Sequence, residues 1–346
     1  MNKFRGLRSL SCVFLTAVVA MVASGAALAQ KTSLLVYTAL EADQIKPYAE
    51  AFNKVYPDIE IKWVQDSTGV ITSRLLAEKA NPQADFVWGL AATSLVRFET
   101  DGMLQPYAPS GLAAIKAGYR DAKNPPYWTG MDVWGATVCF NTVEAAKMGL
   151  PKPETWQDLT KPIYKGKIVM PNPASSGTGY LDVTSWLQIF GEQGGWKFMD
   201  GLHENIAQYV HSGSKPCVMA GNGEFPIGIS FEYRANTIKA KGGPIDLIFP
   251  KEGLGWDMEA FGIMKNTKNL DAARKLADFA SSKAAMELYA KNYAIVALPG
   301  VAQPLPNIPA DYESRLVKND FAWAANNRDK ILAEWTKRYD VKSASK

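Results

Sequence analysis

Histidine is almost missing from this chain: among 346 residues only His203 and His211 carry an imidazole. They stand eight positions apart in a polar stretch, without the spacing of a metal-ligand pair or of a base beside a nucleophile, so they read as solvated surface side chains. Cysteine is nearly as scarce. After Cys12 the chain has Cys139 and Cys217, each in an apolar context, TVCFN and KPCVM, where buried thiols are the reading; a large domain does not need a disulfide staple, although an oxidising compartment would allow the two to pair. There is no acid-rich metal motif, internal repeat, low-complexity tract or glycine fingerprint for a nucleotide. These absences leave little from which to assemble catalytic machinery. The expectation is a protein that is not an enzyme and that carries no cofactor and no metal.

Long apolar runs are missing too, apart from one. Lys3, Arg5 and Arg8 precede an apolar stretch from about Cys12 to Val22, and small residues then end in Ala27-Leu28-Ala29. A basic start, a short apolar middle and an A-x-A terminus mark a secretory signal peptide over residues 1–29; the run is shorter than the ~20 residues that span a bilayer. Cys12 precedes the apolar run, which argues against a lipid-anchored cysteine at the cleavage point. Cleavage after Ala29 would send Gln30–Lys346 out of the cytoplasm as a free soluble protein. Without the leader, 38 basic residues become 35 against 34 acidic ones. A nearly neutral protein lacks the basic face that nucleic acid requires.

What remains is long enough for two cores, and it alternates. Leu34–Thr38, Ile59–Val64 and Ala84–Trp88 read as strands, with helical patterns at 41–55 and 70–79 between them. Asn124-Pro125-Pro126 breaks the chain, and Val133–Phe140 leads as a strand into a second α/β unit. Its strands are expected at Ile168–Met170, Ile206–Val210, Phe225–Ser230 and Ile245–Phe249. Met258–Met264 reads as a further strand, followed by helices at 271–281, 284–289 and 315–339. The pattern predicts one α/β lobe inserted into another: residues 30–134 and 259–346 as the first, 135–258 as the second. Two crossovers fall near Asp132–Thr137 and Asp257–Phe261. A ligand cleft belongs between the lobes, at the carboxyl ends of the strands.

Polar loops at those strand ends are the informative feature, because the first N–H groups of a helix are unsatisfied and favour anions. Pro173–Gly179 (PASSGTG) places Ser175, Ser176, Gly177 and Thr178 between a strand and a helix; an ordinary N-cap needs one hydroxyl, and this loop has three. Asp66-Ser67-Thr68-Gly69 repeats the arrangement, and a capped helix start explains it equally well. Thr38 and Glu41 have the T-x-x-E spacing of a capping box. His211-Ser212-Gly213-Ser214 is the weakest of the set. Glu232-Tyr233-Arg234 puts an acid, a phenol and a guanidinium at one strand exit; Arg234 either grips an oxyanion through paired hydrogen bonds or makes a surface ion pair. Trp256-Asp257-Met258-Glu259 lies at the return crossover, where a carboxylate either faces the cleft or packs in the hinge.

On these residues the chain resembles the substrate-binding proteins of bacterial ABC importers, within the type II periplasmic binding proteins that include ferric-iron and polyamine binders. Within that group it looks more closely like the 2-aminoethylphosphonate-binding branch. The matching segments are YTALE (37–41), DSTGVITSRLLAEK (66–79), ADFVWGL (84–90), MPNPASSGTGYLDV (170–183), HSGSKP (211–216), GISFEYRAN (228–236) and EGLGWDMEA (252–260). Ferric binders use two adjacent tyrosines. Here the matching stretch is Phe231-Glu232-Tyr233-Arg234, and Glu41 stands where some of those relatives carry His, which disfavours iron.

The resemblance implies a monomer that closes two lobes on a small organophosphonate and docks on a permease in the inner membrane. Thr38, Ser67, Thr68, Ser175, Ser176, Gly177, Thr178, Tyr233 and Arg234 are the expected phosphonate contacts. For the amine, Glu41 and Asp257 are expected first, with Glu232, Glu259 and Trp88 behind them. A polyamine, a phosphate ester or ferric iron is the alternative cargo.

Overall fold

The computed structural model describes residues 31–344; the leader expected at residues 1–29 lies outside them. The first half of the sheet follows the alternation read from the sequence. Strands β1 (Thr32–Thr38), β2 (Ile59–Gln65) and β3 (Phe86–Ala91) are separated by helices α1 (Ala42–Val55) and α2 (Thr68–Ala77), and β1 pairs in parallel with both other strands. Parallel neighbours require a crossover of this kind. Short α3 (Ala92–Thr100) and β4 (Leu104–Gln105) follow, then the long strand β5 (Thr129–Asn141).

The second half comprises α4 (Thr142–Met148), β6 (Ile168–Pro171), α5 (Gly177–Asn205), β7 (Ile206–Val210), α6 (Lys215–Gly221), β8 (Ile227–Phe231), α7 (Glu232–Ala240) and β9 (Ile245–Ile248). Strand β10 (Trp256–Met264) returns, and α8 (Leu270–Ala280), α9 (Lys283–Tyr289) and α10 (Phe321–Tyr339) complete the chain. The strand order is β2-β1-β3-β10-β5-β8-β6-β7, with β4 on β10 and β9 on β5. β5 belongs to both halves. Its residues 129–135 pair antiparallel with β10, and residues 136–141 pair with β8 and β9. The expected crossovers therefore are this strand and its partner.

Each half has its own core. Trp88, Tyr48, Phe52, Phe86 and Phe261 pack beneath the first, and Trp156, Trp186, Tyr164, Tyr180 and Phe198 beneath the second. α10 comes last in the chain, yet its Ala324, Ile331, Trp335 and Tyr339 join the second core. The helix period places these residues on one stripe. Helix α6 follows the His211–Ser214 loop as expected, while α3, α4 and α7, each of nine residues or fewer, were not foreseen.

Two readings are corrected here. Cys139 on β5 and Cys217 on α6 are joined in a disulfide with Cα atoms 5.4 Å apart, because α6 lies directly over the sheet; their apolar contexts indicated burial correctly but not that the two sites meet. His203 is half-buried rather than solvated. Its ring lies parallel to Tyr209, with centroids 5.9 Å apart, and Nδ1 is 2.9 Å from the Tyr209 hydroxyl. His211 is exposed, as expected.

The disulfide closes a loop with a sequence separation of 78 residues, for which chain entropy gives roughly 2–5 kcal/mol. Adding a reductant, or replacing Cys217 with Ser, should lower the melting temperature by about 5–10 °C in a calorimetric scan. A melt indifferent to both would show that the bond does not stabilise the fold.

Candidate functional site

Five segments end at one place. The exits of β1, β2 and β3 from the first half meet the start of α5 and the loop before α6 from the second. Between them lies a cavity of about 60 Å³, room for several water molecules' worth of ligand. Ser67 and Thr68 open α2 on one side; Ser176 caps α5 on the other, its Oγ accepting from the Gly179 N–H at 3.3 Å. Gly177, Thr178, Ser212 and Gly213 complete that wall. The amino ends of α2 and α5 thus face a common space, where unsatisfied N–H groups and hydroxyls favour an anion.

The approach is close enough to require glycine. A Cβ on Gly177 would come within 2.7 Å of Thr68 Oγ1, and one on Gly213 would collide with Thr178 Oγ1. Three contacts clamp the walls together. The Gly69 N–H donates to the Ser175 carbonyl at 2.9 Å. At one flank Arg234 Nη2 donates to Glu41 Oε2 at 2.6 Å and lies 3.5 Å from Asp43 Oδ1. At the other His211 Nε2 is 2.8 Å from Asp66 Oδ1.

Of the anticipated contacts, Glu41, Ser67, Thr68, Ser176, Gly177, Thr178 and Glu259 line this cavity. The others do not. The Thr38 hydroxyl is wholly buried, donating to the Trp88 carbonyl at 2.6 Å and accepting from the Leu40 N–H at 3.0 Å; it ties β1 to β3. The cap of α1 is Glu41 paired with Gln44, not Thr38 paired with Glu41: the Glu41 N–H donates to Gln44 Oε1 at 2.9 Å. Ser175 turns to the outer side of its loop and donates to the His211 carbonyl at 2.7 Å. Trp88 is a core residue stacked between Tyr48 and Trp63, because every residue of β3 is covered on both faces.

Asp257 accepts from Thr93 Oγ1 at 2.7 Å and Glu232 from the Gly135 N–H at 2.8 Å. Both are buried away from the cavity wall. Tyr233 packs on Tyr293, ring centroids 5.3 Å apart, and also lies outside the lining. Arg234 spends its charge on Glu41 and Asp43, the ion-pair reading rather than the oxyanion one.

Trp134 and Phe231 line the cavity and were missed, since within strands their apolar character reads as core. Ser212 and Gly213 belong to the loop judged weakest. Two acids line the cavity: Glu41, which is paired with Arg234, and Glu259, whose Oε1 accepts from the Tyr293 hydroxyl at 3.3 Å and whose Oε2 is buried without a partner. The site therefore has a hydroxyl-and-amide side and a carboxylate side.

Burial raises three carboxyls around it: Asp257 to about 7, and Glu232 and Glu259 to about 8. Unfolded carboxyls titrate near ~4. Between those values the folded protein binds more protons than the unfolded chain, so its stability falls as pH rises. The ligand-free protein should melt higher near pH 5 than near pH 8, and Glu232→Gln should flatten the slope. A scan that is flat or rises over that interval would mean that these acids ionise in place without cost.

Residues 81–324 match the family model described as bacterial extracellular solute-binding protein. A probable ABC transporter periplasmic-binding protein of Sinorhizobium fredii is 28% identical over 323 residues, covering 91% of this chain and 86% of that protein. A Haemophilus influenzae protein without assigned function is 29% identical over 324 residues, 91% of this chain and 92% of its own. Among solved structures, the periplasmic binding protein AfuA from Actinobacillus pleuropneumoniae, with fructose-6-phosphate bound, superposes with a TM-score of 0.84 at 27% identity. It covers 90% of this chain and 99% of AfuA. The fold is that of the type II periplasmic binding proteins, a mixed sheet flanked by helices. The chain belongs to the bacterial extracellular solute-binding protein family.

Proposed function

We propose that this protein captures 2-aminoethylphosphonate, or a close organophosphonate, in the periplasm and delivers it to an ABC permease in the inner membrane. One observation carries the reading. Hydroxyls and helix amino ends from both halves of the sheet converge on a single cavity, and a doubly charged phosphoryl-type head needs several aligned donors at once. Ser67 and Thr68 supply one side, Ser176, Thr178 and Ser212 the other. Residues 30–134 with 259–320 act as one lobe, and residues 135–258 with α10, whose apolar face joins the second core, act as the other, turning about β5 and β10. Donors on both sides engage the ligand only when the lobes are closed, so binding shifts the population toward closure. The solute leaves unchanged.

Two comparisons support this reading at a coarser level. The Sinorhizobium relative is named for an ABC transporter, and the AfuA structure holds a phosphate monoester. The latter favours a second reading, a sugar phosphate as cargo, which uses the same anion cradle and differs at the other end.

Isothermal titration separates the two. 2-Aminoethylphosphonate should bind with a dissociation constant at or below micromolar, about −8 kcal/mol or better, and more tightly than fructose 6-phosphate, putrescine or ferric citrate. The reverse order would give the site to the tighter ligand. Replacing Ser176 and Thr178 together with Ala should weaken phosphonate binding roughly a hundredfold, at about 1.5 kcal/mol per hydrogen bond to a charged group. Unchanged affinity would remove the α5 cap from the site.

A further inference from the structure

We infer that Glu259 and Asp132 form a subsite for a primary ammonium at the acidic end of the cavity, so that the solute carries a phosphoryl head and an amine on one short chain. This rests on the phosphonate reading and specifies the opposite end of the ligand.

Glu259 and Asp132 are direct partners in the antiparallel β10–β5 ladder, which puts their side chains on one face with Cβ atoms about 5 Å apart. Glu259 is 8% exposed and lines the cavity, whereas its ladder partner Asp132 is fully buried and outside the lining. Glu259 Oε2 and both carboxylate oxygens of Asp132 have no hydrogen-bond partner. Buried acceptors are ordinarily satisfied, and a buried carboxylate pair without a cation is costly.

The neighbouring donors are committed elsewhere. The Tyr293 hydroxyl already donates to Glu259 Oε1 and accepts from Gln44 Nε2 at 2.9 Å. The Tyr289 hydroxyl accepts from Trp88 Nε1 and donates to the Ala280 carbonyl. Arg234 is held by Glu41 and Asp43, so Glu41, the first candidate from the sequence, has its charge already paired. Burial and the neighbouring Glu259 and Glu232 push Asp132 toward its neutral form; a cation set between the two carboxylates would hold both ionised. An ammonium brings three N–H donors and no acceptor, matching three unpartnered oxygens. Sugar hydroxyls would satisfy the oxygens without offsetting the charge.

Titration of wild type, Glu259→Gln and Asp132→Asn with 2-aminoethylphosphonate and with ethylphosphonate tests this, melting curves reporting whether each variant folds. Wild type should prefer the aminated ligand by about a hundredfold, and each variant should cut that preference at least tenfold. Should one variant not fold, the wild-type preference and the other variant still decide. Equal binding of the two phosphonates by wild type, or equal weakening of both in the variants, overturns the subsite while leaving the phosphonate reading intact. Wild type that binds neither phosphonate removes that reading itself. A Glu259→Gln loss confined to fructose 6-phosphate assigns the carboxylates to hydroxyls and also overturns the inference.

Discussion

The antiparallel pairing of β5 with β10 is the constraint on which the remaining geometry depends. β5 runs on from that ladder into pairing with β8 and β9, so the same strand aligns the β1–β3 exits of one half with the α5 and α6 starts of the other. It also places Asp132 opposite Glu259 in the floor between the halves. Slipping β5 by one residue would turn Asp132 to the face opposite Glu259. A buried acid pair costs stability, and here it lies where the two halves join.

The opposing side of the cavity follows different physics. Serine, threonine and glycine are cheap at helix starts, where a hydroxyl caps the first turn and no side chain obstructs approach. The PASSGTG loop meets both needs, since Ser176 caps α5 while Gly177 lets Thr68 come close. Local stability and the cavity wall therefore draw on the same residues. This is why the hydroxyl count at one loop says only that a helix is capped, whereas the meeting of three such loops shows a shared cavity. The Arg234–Glu41 pair and the His211–Asp66 contact flank the cradle on opposite sides, joining residues far apart in the chain.

Much of this was legible in advance because it is local. Strand and helix periods located most of the longer elements, and the strand–loop–helix junctions at Ser67 and Ser176 are the two walls of the cavity. Errors arose where one side chain had two plausible partners. Thr38 and Glu41 have capping-box spacing, yet Thr38 is used between β1 and β3 while Glu41 pairs with Gln44 and Arg234. Ser175 and Ser176 are chemically identical neighbours, and only the turn of the loop decides which one faces the cavity.

The sequence alone determined the α/β class, the two crossover strands, the scarcity of groups suited to catalysis and the hydroxyl-rich helix starts, all set by period, composition or nearest neighbours. The tertiary structure decided which acids reach the cavity, because burial and cross-strand distance are not written in spacing: Asp257 and Glu232 turn inward to their own hydrogen bonds, and Glu41 and Glu259 line it. It also decided the Cys139–Cys217 bond and the placing of Trp134 and Phe231 in the cavity wall. Each of these depends on segments brought together by the sheet, and an apolar residue in a strand looks the same in sequence whether it faces a core or a ligand.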